Sequence, residues 1–126
     1  FSASERMLAV MAQTRSSAVG ILWDIDNPCK HAGESVQETF AKLAPYIKHT
    51  HIKDSLGAGA DGKLTLPGEG DLPIGDCLGL LAEAGYDGWL SFEWEKKWVP
   101  QLAEPEVALP AYLDFIRSET RRVNAR

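Results

Sequence analysis

Asp24, His51 and Glu93 each lie at the C-terminal end of a short run of strand character, 19–23, 47–53 and 89–95 respectively. Two carboxylates and an imidazole form a donor set that suits Mn²⁺, Mg²⁺, Co²⁺ or Zn²⁺, and ligand type alone does not choose among these ions. Strand ends matter because ligands and catalysts in parallel α/β architectures gather at the C-terminal ends of strands. Side chains alternate along a strand, so His49, His51 and Lys53 share one face of the second run while Thr50 and Ile52 share the other. In the third run Ser91, Glu93 and Glu95 oppose Leu90, Phe92 and Trp94. The polar face would line an interior, and the apolar face would pack on helices.

The elements that must position these residues follow from period and punctuation. Ser2 or Ser4 is expected to cap a first helix, with Met7, Leu8, Val10 and Met11 as its stripe up to about Thr14. Residues 19–23 read as a buried strand, and Asn27-Pro28 with His31 to Gly33 as the loop after it. Ser35 followed by Glu38 is a capping box opening a helix to about Tyr46. A strand over 47–53 leads into a Gly-, Asp- and Pro-rich loop over 54–71, a length typical of functional loops. Residues 74–84 form a helix closed by Gly85, and Tyr86-Asp87-Gly88 turns into the strand at 89–95. The last helix begins near Pro105, carries Val107, Leu109, Tyr112, Leu113, Phe115 and Ile116, and is delayed or kinked at Pro110. Trp23, Trp89 and Trp94 are expected to pack the core, and Trp98 to border a pocket.

The alternation of helices with strands predicts βα units and a parallel sheet, an α/β class with about three parallel strands and four helices. Three strands do not close a barrel. A complete (β/α)₈ barrel takes about 250 residues, so 126 residues hold roughly half of one.

Composition narrows the partners. A formal charge of −5 and a pI near 5.1 argue against a nucleic-acid partner, whose phosphates need clustered Lys and Arg. Arg121, Arg122 and Arg126 read as a solvated tail. Cys29 and Cys77 lack metal-site spacing and read as free thiols of a reducing compartment. With no apolar run long enough for a membrane, a cytoplasmic location is expected. The chain opens at Phe1 rather than Met, which reads as a piece of something longer.

Trp23 to Pro28, His49-Thr-His-Ile-Lys-Asp54, Pro67-Gly-Glu-Gly-Asp71 and Gly85 to Glu93 resemble the last three βα units of sugar isomerases and epimerases of the xylose-isomerase-like TIM-barrel family. The resemblance implies that residues 1–126 are the C-terminal part of one such domain. It implies Asp24, His51 and Glu93 as metal ligands, with Glu93 also the carboxylate that moves a proton. It implies a first Glu ligand from an earlier strand, for which Glu5, in the predicted first helix, is no candidate. Where the family commonly has His three residues after the strand-end Asp, this chain has Asn27. Asn27, Lys53 and Glu69 are the candidate substrate contacts, and Asp54 is either a partner of His51 or a loop cap.

The activity implied is isomerisation or epimerisation of a free or phosphorylated sugar, by proton transfer through an enediolate or by hydride shift, with dehydration of a cyclic polyol ketone as a variant. An apurinic-site endonuclease on the same barrel is the rival from another class. That chemistry needs further histidines, including an Asp-x-His where this chain has Asp61-Gly-Lys63. A third reading is a barrel piece without catalysis of its own.

Three strands leave two sheet edges open, and exposed edges favour association. The chain on its own is therefore expected to self-associate or to require an N-terminal barrel segment, and to fall short of a competent isomerase. Sedimentation combined with a metal-supplemented isomerisation assay checks this: a stable monomer with ordinary turnover would refute it.

Overall fold

Short strand runs and the amphipathic runs between them produce an α/β layer arrangement. A computed structural model describes residues 2–59 and 62–125. Phe1, Asp61 of the endonuclease comparison and Arg126 of the basic cluster lie outside them. The elements in chain order are α1 (Ser4–Gln13), β1 (Ile21–Asp24), α2 (Asp26–His31), α3 (Val36–Leu43), a 3₁₀ turn (Ala44–Tyr46), β2 (Ile47–Ile52), β3 (Asp54–Leu56), β4 (Lys63–Thr65), α4 (Ile74–Glu83), β5 (Leu90–Phe92) and α5 (Pro105–Asn124).

β1, β2 and β5 form one parallel sheet in the order β1-β2-β5. Its register sets Asp24 level with His51 and His51 level with Ser91. The ladder continues one bond beyond β5, where the Glu93 amide donates to Ile52 O at 3.0 Å. Trp23, Thr50 and Ile52 are buried on the face toward the helices. His49, His51, Ser91 and Glu93 alternate with them on the half-exposed face. The core joins Ile21, Trp23, Ile47 and Ile52 to Val36 and Leu43 of α3, Ile74, Cys77, Leu78 and Leu81 of α4, and Tyr112 and Ile116 of α5. Phe92 stacks on Tyr112 with centroids 4.5 Å apart, a pair worth about 0.5–1.5 kcal/mol beyond its buried area. Tyr112 Oη donates to Leu90 O at 2.6 Å, and burial pushes its phenol up to about 12.

Several local expectations are corrected. α1 has Ala3 as its N-cap and no side-chain cap bond, because Ser4 is the first helical residue and fully buried. Its amide is satisfied instead from α3's side, by both Glu34 oxygens at 3.1 and 3.3 Å. The stretch after β1 is a short helix, α2, with Asn27 and Pro28 in its first turn, where proline's missing N–H costs nothing. The capping box at Ser35 and Glu38 forms as the spacing predicts, though the helix tightens to a 3₁₀ turn from Ala44. The 54–71 segment is not all loop: β3 and β4 pair as an antiparallel ladder. The described residues therefore hold five α-helices rather than four, and a two-stranded sheet in addition to the parallel one.

α5 begins at Pro105 and carries Pro110 inside it. The residues it buries are Ala108, Tyr112 and Ile116, an i, i+4, i+8 row, whereas Val107, Leu109 and Leu113 are exposed. Arg121 and Arg122 belong to its last turn rather than to a tail, where cations meet the negative end of the helix dipole. Trp89 is 78% exposed and does not pack the core. Gly85 has φ +69°, the left-handed geometry that ends α4. Cys29 and Cys77 are free thiols, both raised above the ordinary cysteine range by burial.

Glu34 also accepts from Thr39 Oγ1 at 3.2 Å, so one carboxylate ties α1 to α3. Partial burial opposes its ionisation, but the bonds from Ser4 and Thr39 outweigh this and hold its pKa below the usual glutamate value. A depressed carboxylate stabilises the fold above its unfolded pKa and loses that contribution as pH falls through the folded value. Glu34→Gln is expected to cost about 1–2 kcal/mol at neutral pH, with the gap from wild type closing below about pH 4.5. Thermal melts of both forms across the acid range measure it.

Candidate metal centre

Asp24 ends β1 with its carboxylate already in use. Its Oδ1 accepts the amides of Asp26 at 2.9 Å and Asn27 at 3.2 Å, the orphan donors at the start of α2, and its Oδ2 accepts Asn27 Nδ2 at 2.9 Å. The carboxylate is thus fixed in direction by the turn that follows its strand. His51 is level with it on β2, and Glu93 follows β5 on the same face. One donor atom from each of Asp24, His51 and Glu93 lies within 4.8 Å of the other two. His51 Nδ1 is 3.3 Å from Glu93 Oε2, with both side chains about 30% exposed.

Donors bound to one ion at about 2.0–2.2 Å stand roughly 3–4 Å from each other. The three groups are therefore a short side-chain adjustment from chelation, and their chemistry fits a borderline divalent cation. A cation of the chain itself already sits on two of them. Lys53 Nζ lies 3.0 Å from Asp24 Oδ2 and 2.8 Å from Glu93 Oε2, and it reaches Glu95 Oε1 at 3.3 Å. Burial disfavours its charge, but the hydrogen bond it donates to Glu93 and the charge of Asp24 prevail and push its pKa above the ordinary lysine value. Glu93 answers in the opposite sense: burial raises its pKa, but the bond it accepts from Lys53, together with its other polar neighbours, outweighs burial and the net direction is down.

The other candidates fall into place unevenly. Asn27 orients Asp24 and also lines a cavity of about 160 Å³ with Asp26, Lys30, Lys53, Ser55 and Glu95. Glu69 is exposed on the loop before α4 and is not among the groups brought to the cluster. Glu5 is far from that role, exposed on α1 and 3.3 Å from Lys42. His49 is an interior histidine bonded to Ser91 Oγ at 2.8 Å, edge-on to the His51 ring. Trp98 is 74% exposed with Lys97 over its ring.

Asp54 is a loop anchor rather than a partner of His51. Its carboxylate is 2% exposed and accepts the amides of Ser55, Gly68, Gly70 and Leu72 at 2.8–3.4 Å. A Cβ on Gly70 would collide with Asp54 Oδ1, and Gly68 has φ +89°, so each position requires glycine for its own reason. The contacts that sequence reasoning missed are Asp26 accepting from the buried Ser55 hydroxyl and Lys30 paired with Asp71. Both join residues more than twenty-five positions apart, and no periodic signal reports such pairs.

Residues 2–119 match the family described as xylose isomerase-like TIM barrel. An inosose dehydratase of Bacillus thuringiensis (strain Al Hakam) is 32% identical over 87% of this chain and 41% of its own length. One from Clostridium botulinum (strain Eklund 17B / Type B) is 29% identical over 81% of this chain and 38% of its own. A xylose isomerase domain protein from Planctomyces limnophilus superposes with TM-score 0.76 at 24% identity, over 98% of this chain and 44% of that one. A D-tagatose 3-epimerase-like protein does so with TM-score 0.75 at 23% identity, over 98% and 43%. The chain thus spans about two fifths of the length of the relatives it matches.

Replacing Asp54 with Asn should leave donors facing donors in the loop and cost about 2–4 kcal/mol. Urea denaturation measures the loss, and limited proteolysis should cut between Leu66 and Leu72 in the variant before it cuts the wild type.

Proposed function

The chain belongs to the xylose isomerase-like TIM-barrel family, and from that premise we propose that it forms part of a divalent-metal-dependent enzyme that removes the proton beside the carbonyl of a polyhydroxy ketone. The observation that carries this reading is the convergence of Asp24, His51 and Glu93 within 4.8 Å on one face of a parallel sheet. Bound there, a divalent ion would supply Lewis-acid stabilisation of negative charge developing on substrate oxygen.

The chain's own residues divide the remaining work. Glu93 Oε2 is engaged by His51 Nδ1 and Lys53 Nζ, which leaves Oε1 to take the substrate proton. The depressed pKa of Glu93 keeps it ionised and ready to accept. Asn27, Ser55 and Glu95, which line the adjoining cavity, offer an amide, a hydroxyl and a carboxylate to sugar hydroxyls.

The substrate favoured is uncharged rather than phosphorylated. Lys30 is held by Asp71 and Lys53 by three carboxylates, so neither ammonium is free for a phosphate, and Asp26 and Glu95 would repel one. Loss of a hydroxyl from the carbon next to the deprotonated one makes the enzyme a dehydratase, the activity in the names of the two relatives above. Return of the proton to a neighbouring carbon or to the opposite face makes it an isomerase or epimerase. The first step is common to both, and dehydration of a cyclic polyol ketone is the reading the relatives favour. A solvated interior of the cell, with its reduced thiols, suits Cys29 and Cys77.

Three measurements test this. Calorimetric titration with Mn²⁺ should find one site on the chain, weakened at least tenfold by Asp24→Asn; no binding by wild type would remove the metal from the mechanism. In the intact protein, Glu93→Gln should slow exchange of the substrate's α-proton with D₂O by about 10²–10⁴. Wild-type exchange rates in that variant would take the proton-transfer role away from Glu93. Mass spectrometry of the product separates dehydration, which loses one water, from isomerisation, which loses nothing.

A further inference from the structure

The candidate metal centre contains a buried cation that no ligand role accounts for. The Lys53 side chain is 6% exposed, and its ammonium has three acceptors, Asp24 Oδ2, Glu93 Oε2 and Glu95 Oε1, at 3.0, 2.8 and 3.3 Å. An ammonium has three protons, so its hydrogen-bonding capacity is filled by carboxylates alone. Two of these acceptors belong to the proposed metal donors, and the third, Glu95, stands one strand repeat beyond Glu93 on the same face. Three carboxylates and one ammonium sum to a formal charge of −2.

We infer that Lys53 sets the charge of this centre: by holding the three carboxylates it touches at a net −2, it matches them to a divalent cation. The inference rests on the metal reading above and adds a residue that acts through the ligands without contacting the ion. Its physical basis is the product of charges in Coulomb's law. Making the centre more negative by one unit adds three units of attraction for a trivalent ion and two for a divalent one. Removing Lys53 therefore favours trivalent over divalent binding, and removing a carboxylate from its shell does the reverse. The other charged groups bordering the cavity, Asp26 on Ser55 and Lys30 on Asp71, are untouched by either change.

The experiment compares Mn²⁺ and Tb³⁺ binding to the full chain by calorimetry at fixed pH and ionic strength, in wild type, Lys53→Met and Glu95→Gln. The Tb³⁺/Mn²⁺ affinity ratio should rise at least tenfold in Lys53→Met and fall in Glu95→Gln, with Lys53→Arg close to wild type. Ratios that stay level while both affinities drop would make Lys53 a merely structural ion pair and overturn the inference. Should Lys53→Met fail to fold, Glu95→Gln, near-isosteric and only half-buried, decides by itself: an unchanged or raised ratio overturns the proposal. Failure of wild type to bind either ion is a different result, since it removes the metal reading on which the inference stands.

Discussion

The parallel register of β1, β2 and β5 is the constraint on which the rest of the structure depends. Setting Asp24 level with His51, and His51 level with Ser91, leaves Glu93 two residues further along β5's path on the same face. A slip of one residue in either pairing would turn the whole polar set toward the helices and send Trp23, Thr50 and Ile52 toward solvent. The apolar face therefore enforces the geometry of the polar one: the core formed with α3, α4 and α5 holds the register, and the register holds the donors together.

Immediately beyond β2 the chain buries a lysine, an aspartate and a serine in succession, with Lys53, Asp54 and Ser55 each 5% exposed or less. Such burial is tolerable only because every one of them is partnered. Lys53 turns inward to the carboxylates, Asp54 outward to the amides of the loop before α4, and Ser55 to Asp26 at the start of α2. Alternation along an extended backbone sends consecutive residues to opposite sides, so one short stretch binds the candidate site, the loop beside it and the helix after β1. The cost of this arrangement is local intolerance. Each group would leave a buried charge or several unpaired donors if its partner were lost.

Rigidity at the donors has the same origin. Asp24 is held through the first turn of α2 and through Asn27, and Glu93 through His51 and Lys53, so the carboxylates are oriented without help from any ligand. Asn27 braces the Asp24 carboxylate through its side-chain amide, a neutral contact that does not titrate.

Much of this was legible from residue order because it depends on local rules. Period-two alternation assigns His49, His51 and Lys53 to one face and Thr50 and Ile52 to the other, the Ser35–Glu38 spacing specifies a capping box, and Gly85 marks the end of α4. The α/β class and the candidates Asp24, His51 and Glu93 follow from the same reading. What only the tertiary structure decided are pairings between distant segments: Glu34 capping α1 from thirty residues away, the β3–β4 ladder inside an apparent loop, Asp54 gathering four amides, and Lys53 enclosed by three carboxylates from two other strand ends. The buried row on α5 and the exposure of Trp89 belong to the same class. Local sequence reports which face a side chain takes because backbone geometry is fixed within a few residues. Which partner it meets there depends on how whole elements pack, and that information resides in the summed contacts of the core.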